Sequence, residues 1–245
     1  PLGQQMGHQP LVDCARQNGI AALAFVNMFH LGAMWPEVEA LADDGLCAFA
    51  FTPSYPYVAP AGGNKPLFGT NPMGFAWPRK NASPLVFDQA SSAMARGEIE
   101  IAARDGLSVP ETAGIGPDGA ATTDPNQVLE GTQLGFGGYK GASLALMIEL
   151  IAGPLIGEFL SFESLADDGG RGGPPKGGEL IIALDPARFG DADGFLAHGE
   201  KLIKEILAQE GTRLPGSRRF TSREKTPATG IEIPASLHKR ILELI

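Results

Sequence analysis

The chain has 245 residues, 43% of them apolar and 19% charged. This is typical of a globular protein with a sizeable core and excludes a disordered chain and a coiled coil. Its 19 basic and 28 acidic residues give a formal charge of −9, which disfavours a nucleic acid or an anionic membrane as partner, because both attract concentrated positive charge. The two cysteines cannot form a disulfide framework and are typical of reduced thiols, so we expect a cytoplasmic protein.

The first part of the chain predicts alternating helices and strands. Residues 9–18 predict the end of a helix that stops at Gly19, and the apolar run 20–27 predicts a strand. A second helix is predicted from Trp35-Pro36 to Gly45, followed by a buried strand over 46–52. Strand, helix and strand in such close succession favour a layered α/β architecture.

The remaining elements are separated by one long connection and one turn. Residues 53–66 show no periodicity, and connections of this length inside a compact domain are usually functional. Pro117-Asp118-Gly119 predicts a turn. Further strands are predicted at 73–78, 84–88 and 178–185, and further helices at 91–106, 141–158 and 192–211.

The most apolar stretch, residues 142–156, is interrupted by Glu149, Gly153 and Pro154. We therefore predict that it is too short to span a bilayer. The chain starts at Pro1 without a signal-peptide pattern, and we expect it to belong to a longer protein.

The densest glycine cluster, residues 131–141, lies directly before this apolar helix and contains Lys140. Glycines let a backbone approach a ligand closely, and N–H groups at a helix start bind anions. The P-loop spacing is absent because Tyr139 stands where a glycine should precede the lysine, and the dinucleotide fingerprint fails because Lys140 occupies its third glycine position. Two interpretations stay open: a sharp loop that enters a buried helix, and a nucleotide contact of a non-Rossmann kind.

Three further patterns are less specific. The glycine-rich stretch 167–178 predicts a mobile surface loop. His30 follows a strand, where ligands of open α/β sheets lie, but a lone histidine there is more often structural. The run 213–225 holds five cations and one acid. This pattern is typical of a solvated surface, and equally of paired arginines that bind a phosphate through two guanidinium groups. No spacing is typical of a metal site or a nucleophile elbow, so we predict no metal.

Five motifs follow one another along the chain: FHLGAMWP (29–36), FGTNPM (68–73), FDQAS (87–91), TTDP (122–125) and FGGYKG (136–141). Together with residues 177–180 and 213–219, they resemble the type-2 malate/L-lactate dehydrogenase family over nearly the whole chain. The FDQAS motif, the surroundings of Trp35 and residues 95–98 most resemble its branch of Δ1-piperideine-2-carboxylate/Δ1-pyrroline-2-carboxylate reductases.

The resemblance implies an α/β fold unrelated to the Rossmann fold, in which helices flank a mixed, largely antiparallel sheet that binds a nicotinamide cofactor. It also implies a homodimer. Residues 1–38 would be the remnant of a substrate or helical domain, 39–210 the NAD(P)-binding domain, and 211–245 a C-terminal segment that packs back on the substrate domain.

The resemblance also implies site residues, motif by motif. The substrate would be faced by Thr70, Arg96 and Gly97, and Glu98 would be the catalytic relay carboxylate. The implied cofactor contacts are His30, Leu31, Gly32, Ala33, Met34, Asp88, Gln89, Ala90, Tyr139, Lys140, Pro215, Gly216, Ser217, Arg218, Arg219, Phe220 and Thr221.

One departure concerns the proton donor. The family's catalytic Ser-His pair and a substrate-binding arginine belong to an N-terminal segment that residues 1–10 do not reproduce, and His8 does not take over that role. Either that segment lies outside this sequence, or the chain cannot protonate its substrate.

The leading hypothesis is an NAD(P)H-dependent reductase of a small cyclic imino acid or a 2-oxo acid, in which hydride passes to C2 while a histidine supplies the proton. The alternatives are a malate, L-lactate or ureidoglycolate dehydrogenase on the same fold, and a non-catalytic nucleotide-binding protein. Because a chain of charge −9 repels the 2′-phosphate of NADP unless cations gather locally, the run 213–225 favours NADP(H), with NAD(H) as the alternative.

Overall fold

The computed structural model describes residues 1–29 and 32–244. A five-stranded antiparallel sheet lies at the centre of these residues. The helices are α1 (Leu2–Asn18), α2 (Trp35–Asp43), α3 (Arg96–Asp105), α4 (Pro125–Glu130), α5 (Tyr139–Ala152), α6 (Ser161–Asp168), α7 (Phe195–Leu207), α8 (Ser217–Thr229) and α9 (Ala235–Leu242). The strands are β1 (Ile20–Phe29), β2 (Cys47–Phe51), β3 (Met73–Trp77), β4 (Leu85–Gln89), β5 (Gly114–Ile115), β6 (Thr132–Gln133) and β7 (Lys176–Leu184).

The strand order of the large sheet is β1-β7-β2-β3-β4, and its four pairings are antiparallel. Strand β7 lies between β1 and β2, so these two strands run parallel to each other without pairing. Strands β5 and β6 form a separate two-stranded ribbon. The predicted fold class, helices around a largely antiparallel sheet, is confirmed.

Helices cover both faces of the sheet. On one face, small residues such as Ala50 and Ala76 let α1 and α2 approach closely, and Leu11, Val38 and Leu41 complete a buried cluster. On the other face, α5 packs Ile148 and Ala152 against Phe51 and Leu180. The sheet is therefore the centre of the core, and β1 and β4 are its edge strands.

Three predicted helices have different boundaries, and one of them, predicted over 192–211, is α7 at Phe195–Leu207. Helix α3 begins at Arg96, not at residue 91, because the N–H groups of Ser91 and Ala93 donate to the carbonyls of Thr70 and Leu134 at 2.7 and 2.8 Å. Helix α5 begins at Tyr139 and ends before residue 153, where Gly153 and Pro154 start a short 3₁₀ turn, so the predicted end at residue 158 is wrong.

The sequence patterns missed helices α4, α6, α8 and α9 and the N-terminal half of α1. Helix α8 contains Pro227 and buries no residue, so it shows no apolar period. The predicted turn at 117–119 is present, with Gly119 at φ 81°. The glycine-rich loop is exposed over 169–173, but strand β7 already begins at Lys176.

Helix α5 and the turn after it, Tyr139–Ile156, have the length and hydropathy of a membrane-crossing helix, although we predicted a stretch too short for this. Glu149 on this helix is buried, and its carboxylate accepts hydrogen bonds from Gly69, Asn71 and Ser161. Such contacts are those of a core helix in a folded domain. The division into segments 1–38, 39–210 and 211–245 stays a prediction.

Candidate active site

Predicted cofactor residues from two motifs meet at the edge of the sheet. The N–H of Met34, fully buried before α2, donates to the carboxylate of Asp88 on β4 at 3.0 Å. Gly74 on β3 permits this approach, because a Cβ there would lie 2.8 Å from the Met34 carbonyl oxygen. Gln89, the last residue of β4, is exposed, and Ala90, the residue after it, is half-buried.

The predicted C-terminal cofactor segment, residues 215–221, lies against the same strand. Gly216 precedes α8 with φ 77°, and a Cβ there would lie 2.6 Å from the Val86 carbonyl oxygen on β4. Phe220 packs against the buried cluster under α2. Pro215 and Thr221 are exposed, and Ser217 is half-buried at the start of α8.

The arginines of α8 form a charged cluster with α2. Arg219 Nη2 lies 3.2 Å from the carboxylate of Glu39, which also pairs with Arg223. Both guanidinium carbons lie 4.5 Å from the centre of the Trp35 ring. Arg219 Nε is buried without a hydrogen-bond partner, and Arg218 is exposed. An incoming phosphate would thus compete with Glu39 for Arg219, which sequence reasoning did not anticipate.

A cavity of about 790 Å³ opens toward the other side of the sheet, near its opposite edge strand β1, between α1, β1 and the start of α2. Gly32, Ala33 and Trp35 line it, and no atom lies within 4 Å of a Cβ placed on Gly32. Its volume lies in the range of small-molecule sites. The predicted contacts His30 and Leu31 lie outside the described residues.

The half-buried carboxyl group of Glu37 and the buried carboxyl group of Glu179 lie next to this cavity. Gln4 Nε2 on α1 donates to Glu37 Oε1 at 2.6 Å and to Glu179 Oε2 at 3.0 Å. The second oxygen of each carboxyl group is buried without a partner. Burial raises the pKa of Glu37, and burial together with the charge of Glu37 raises the pKa of Glu179 to about 8. The only sequence sign of this pair was a charged residue at 179 inside an apolar strand.

The glycine cluster forms a tight loop before α5. Gly137 and Gly138 have φ values of 56° and 66°, which favour glycine. A cavity of about 420 Å³ is lined by this loop and by Tyr139. Tyr139 and Lys140 are exposed at the helix start, and the N–H of Phe136 donates to the carbonyl of Ser91 beyond β4 at 3.0 Å. The loop therefore lies near the end of β4, where Gln89 and Ala90 stand.

Thr70 is held by its backbone and its hydroxyl. Its N–H donates to Ser54 Oγ at 3.0 Å, and the two hydroxyl oxygens lie 3.3 Å apart. The Thr70 carbonyl accepts from the N–H of Ser91 at 2.7 Å. This brings the predicted substrate residue next to the end of the predicted cofactor motif at 87–91.

Arg96, Gly97 and Glu98 form the first turn of α3. The guanidinium carbon of Arg96 lies 4.2 Å from the centre of the Tyr57 ring, and Arg96 Nε lies 3.4 Å from Glu100. Gly97 is exposed with open space beside it. Glu98 is exposed and accepts a hydrogen bond from the N–H of Ala95 at 3.4 Å, which helps to cap α3.

Within residues 1–29 and 32–244, no group of three or more His, Cys, Asp or Glu side chains has the arrangement of a metal site. Cys14 is exposed and Cys47 is buried, both as free thiols.

The family model for malate/L-lactate dehydrogenases matches residues 2–242. The chain belongs to this family. It is 49% identical over 243 residues to the Δ1-pyrroline-2-carboxylate/Δ1-piperideine-2-carboxylate reductase of Pseudomonas aeruginosa, covering 98% of this chain and 72% of that protein. It is also 49% identical over 246 residues to Δ1-pyrroline-2-carboxylate reductase 1 of Burkholderia ambifaria, covering 100% of this chain and 72% of the relative.

A solved structure has the same fold. The Δ1-piperideine-2-carboxylate reductase from Pseudomonas syringae superposes with a TM-score of 0.91 at 39% identity, covering 98% of this chain and 73% of that one. The predicted family, its branch and its oxidoreductase class are confirmed. These similarities favour an enzyme over the alternative of a non-catalytic nucleotide-binding protein.

A dehydrogenase of this family uses a nicotinamide cofactor, and the residues present fit one. The cavity beside Gly32 and Ala33 is open, and Arg219 Nε is a buried donor that lacks an acceptor. Gly74 on β3 and Gly216 before α8 allow two motif segments, at Met34 and at 215–221, to approach β3 and β4 closely. A dinucleotide needs such a convergence because it is long and contacts several segments.

Proposed function

We propose that this protein uses NADPH to reduce the C=N bond of small cyclic 2-imino acids, Δ1-pyrroline-2-carboxylate and Δ1-piperideine-2-carboxylate. The observation that carries the proposal is the 49% identity, over 98% or more of the chain, to reductases named for these substrates. The convergence of the motif residues around β4 supports it further.

The cofactor supplies a hydride for C2 of the imine when it is bound. Its contacts would be the backbone of residues 32–34, the end of β4 at 88–90, the start of α5 at Tyr139 and Lys140, and segment 215–221. The Asp88 carboxylate fixes the backbone of Met34 through a 3.0 Å hydrogen bond. This preorganises the segment before a ligand arrives, which lowers the entropy lost on binding.

The substrate carboxylate would be bound by Arg96 and Thr70. A guanidinium presents parallel N–H donors that match a carboxylate, and a hydroxyl adds a third donor. Glu98 would serve as the relay carboxylate for proton movement. It is exposed and makes only a long 3.4 Å hydrogen bond to Ala95, so its side chain can turn toward a bound substrate.

A preference for NADP(H) over NAD(H) rests on the arginines of α8. Arg218 is exposed, and Arg219 has a buried N–H without an acceptor. A 2′-phosphate would accept charge-assisted hydrogen bonds from them. Glu39 already balances part of this positive charge, so we expect a preference, not an absolute requirement.

We also propose a cytoplasmic homodimer that binds no nucleic acid and no membrane. The net charge of −9 disfavours polyanionic partners. Leu146, Met147 and Leu150 on α5 are exposed apolar side chains, and exposed apolar patches are typical of protein interfaces.

The test is a substrate panel with protein expressed from its complete reading frame. NADPH absorbance would be followed with the two cyclic imino acids, pyruvate and oxaloacetate. We expect a higher kcat/KM for the imino acids. A higher kcat/KM for oxaloacetate or pyruvate would instead identify a 2-hydroxy acid dehydrogenase on the same fold.

A further inference from the structure

We infer that Ser54 and Tyr57 are positioning residues that hold Thr70 and Arg96 in the geometry needed to bind the substrate carboxylate. Both belong to the long connection 53–66. The inference rests on the proposed function, because it assigns the substrate carboxylate to Thr70 and Arg96.

Ser54 fixes Thr70 from one side. Its hydroxyl oxygen accepts the N–H of Thr70 at 3.0 Å and lies 3.3 Å from the Thr70 hydroxyl. The N–H of Ser54 donates to Asn71 Oδ1 at 3.2 Å, so the contact continues to the residue after Thr70. The Thr70 hydroxyl therefore has a defined neighbour that limits its rotamers.

Tyr57 fixes Arg96 through its aromatic face. The guanidinium carbon lies 4.2 Å from the ring centre, which is the geometry of a cation–π contact. A guanidinium that stacks through its face keeps its in-plane N–H groups for a carboxylate. Glu100 lies 3.4 Å from Nε and restrains the side chain from its other end.

The segment that carries Ser54 and Tyr57 is itself anchored. The N–H of Tyr57 donates to the carbonyl of Phe68 at 2.8 Å, next to the FGTNPM motif. The Tyr57 carbonyl accepts from the N–H of Gln133 at 2.8 Å and from Thr132 Oγ1 at 2.9 Å. One rigid segment thus contacts both proposed substrate residues, which are 26 positions apart in the sequence.

Rigid placement matters because binding a small anion by a mobile arginine costs side-chain entropy. Loss of the supporting ring should weaken substrate binding without changing the cofactor site. The expected signature is therefore a selective rise in the KM for the imino acid, accompanied by a rise in the Ki of the product L-proline.

The experiment compares Tyr57→Leu, Tyr57→Phe and Ser54→Ala with the wild-type protein. Tyr57→Leu should raise the KM for Δ1-pyrroline-2-carboxylate and the Ki of L-proline about threefold to tenfold, with the KM for NADPH unchanged. Tyr57→Phe keeps the aromatic ring, so its KM for the imino acid and its Ki for L-proline should stay within about twofold of the wild-type values. Tyr55→Phe, a tyrosine change on the same segment, is the matched control and should alter neither KM.

A double-mutant cycle tests whether Tyr57 acts through Arg96. In an Arg96→Ala background, Tyr57→Leu should have no further effect on the KM for the imino acid. The inference would be overturned if Tyr57→Leu raised the KM for the imino acid as much in the Arg96→Ala background as in the wild type. It would also be overturned if Tyr57→Leu raised the KM for NADPH as much as the KM for the imino acid. If Tyr57→Leu does not fold, Ser54→Ala decides, because an unchanged KM for the imino acid in that variant also contradicts the positioning role.

The two proposals fail in different ways. A wild-type protein that does not reduce cyclic imino acids refutes the proposed function. An active wild-type protein whose Tyr57 and Ser54 variants keep the wild-type KM for the imino acid refutes only the positioning role.

Discussion

Replacing Glu179 by Gln should change how the stability of the protein depends on pH. Glu179 is buried on β7, and its pKa is raised from 4.5 to about 8 by burial and by the charge of Glu37. The folded state therefore holds a proton that the unfolded chain releases above about pH 4.5. This stabilising contribution is complete below the unfolded pKa and is lost as the pH rises toward about 8.

Each unit of pKa difference corresponds to about 1.4 kcal/mol, so the loss between about pH 5 and about pH 8 should amount to about 3–5 kcal/mol for this carboxyl group. A glutamine side chain at this position would keep the volume of the glutamate and cannot ionise. We therefore expect the free energy of unfolding of Glu179→Gln to fall much less over this range than that of the wild type.

Urea denaturation at several pH values measures this difference. The matched control is Glu224→Gln, a change at an exposed position of α8. Parallel pH profiles of wild type and Glu179→Gln would contradict this prediction. They would mean that Glu179 is ionised in the folded protein and that another group compensates its charge.

Three further predictions concern the cofactor site. Lys140→Ala should raise the Kd for NADPH about tenfold, because a charge-assisted hydrogen bond at the start of α5 is lost; an unchanged Kd by fluorescence quenching would remove Lys140 from the site. Replacing Arg218 and Arg219 by Ala should raise the KM for NADPH much more than that for NADH, with the wild-type preference weakening as salt rises; equal effects on both cofactors would show that these arginines do not bind the 2′-phosphate. Gly74→Ala should destabilise the protein by about 1–3 kcal/mol, because the new Cβ would lie 2.8 Å from a backbone carbonyl oxygen. Thermal unfolding measures this, with Gly190→Ala as a control in open space, and equal melting temperatures for the two variants would contradict it.

The sequence predicted those elements whose ends carry strong local signals. Pro36 and Gly45 delimit α2, and Gly19 ends α1 with φ 86°, so these boundaries could be read from the residues. Helix α8 could not be predicted this way, because it is basic and no residue in it is fully buried. Its position is set by tertiary contacts, chiefly the approach of Gly216 to Val86.

The motifs indicate which residues to expect at the site, but not which residues they contact. Met34 and Asp88 were predicted separately, and only the fold shows the hydrogen bond between them. Glu39, which balances Arg219 and Arg223, lies in an ordinary amphipathic helix pattern and has no sequence signature. Side chains that act through long-range pairs cannot be found from local spacing, because the pairing depends on the packing of distant elements.

The most direct measurement follows the hydride itself. The protein would be incubated with Δ1-pyrroline-2-carboxylate and NADPH carrying deuterium at C4 of the nicotinamide, with each face labelled in turn, and the product analysed by mass spectrometry. We expect L-proline that carries one deuterium at Cα with one of the two labelled cofactors. Formation of no proline, together with a deuterated 2-hydroxy acid from oxaloacetate or pyruvate under the same conditions, would contradict it.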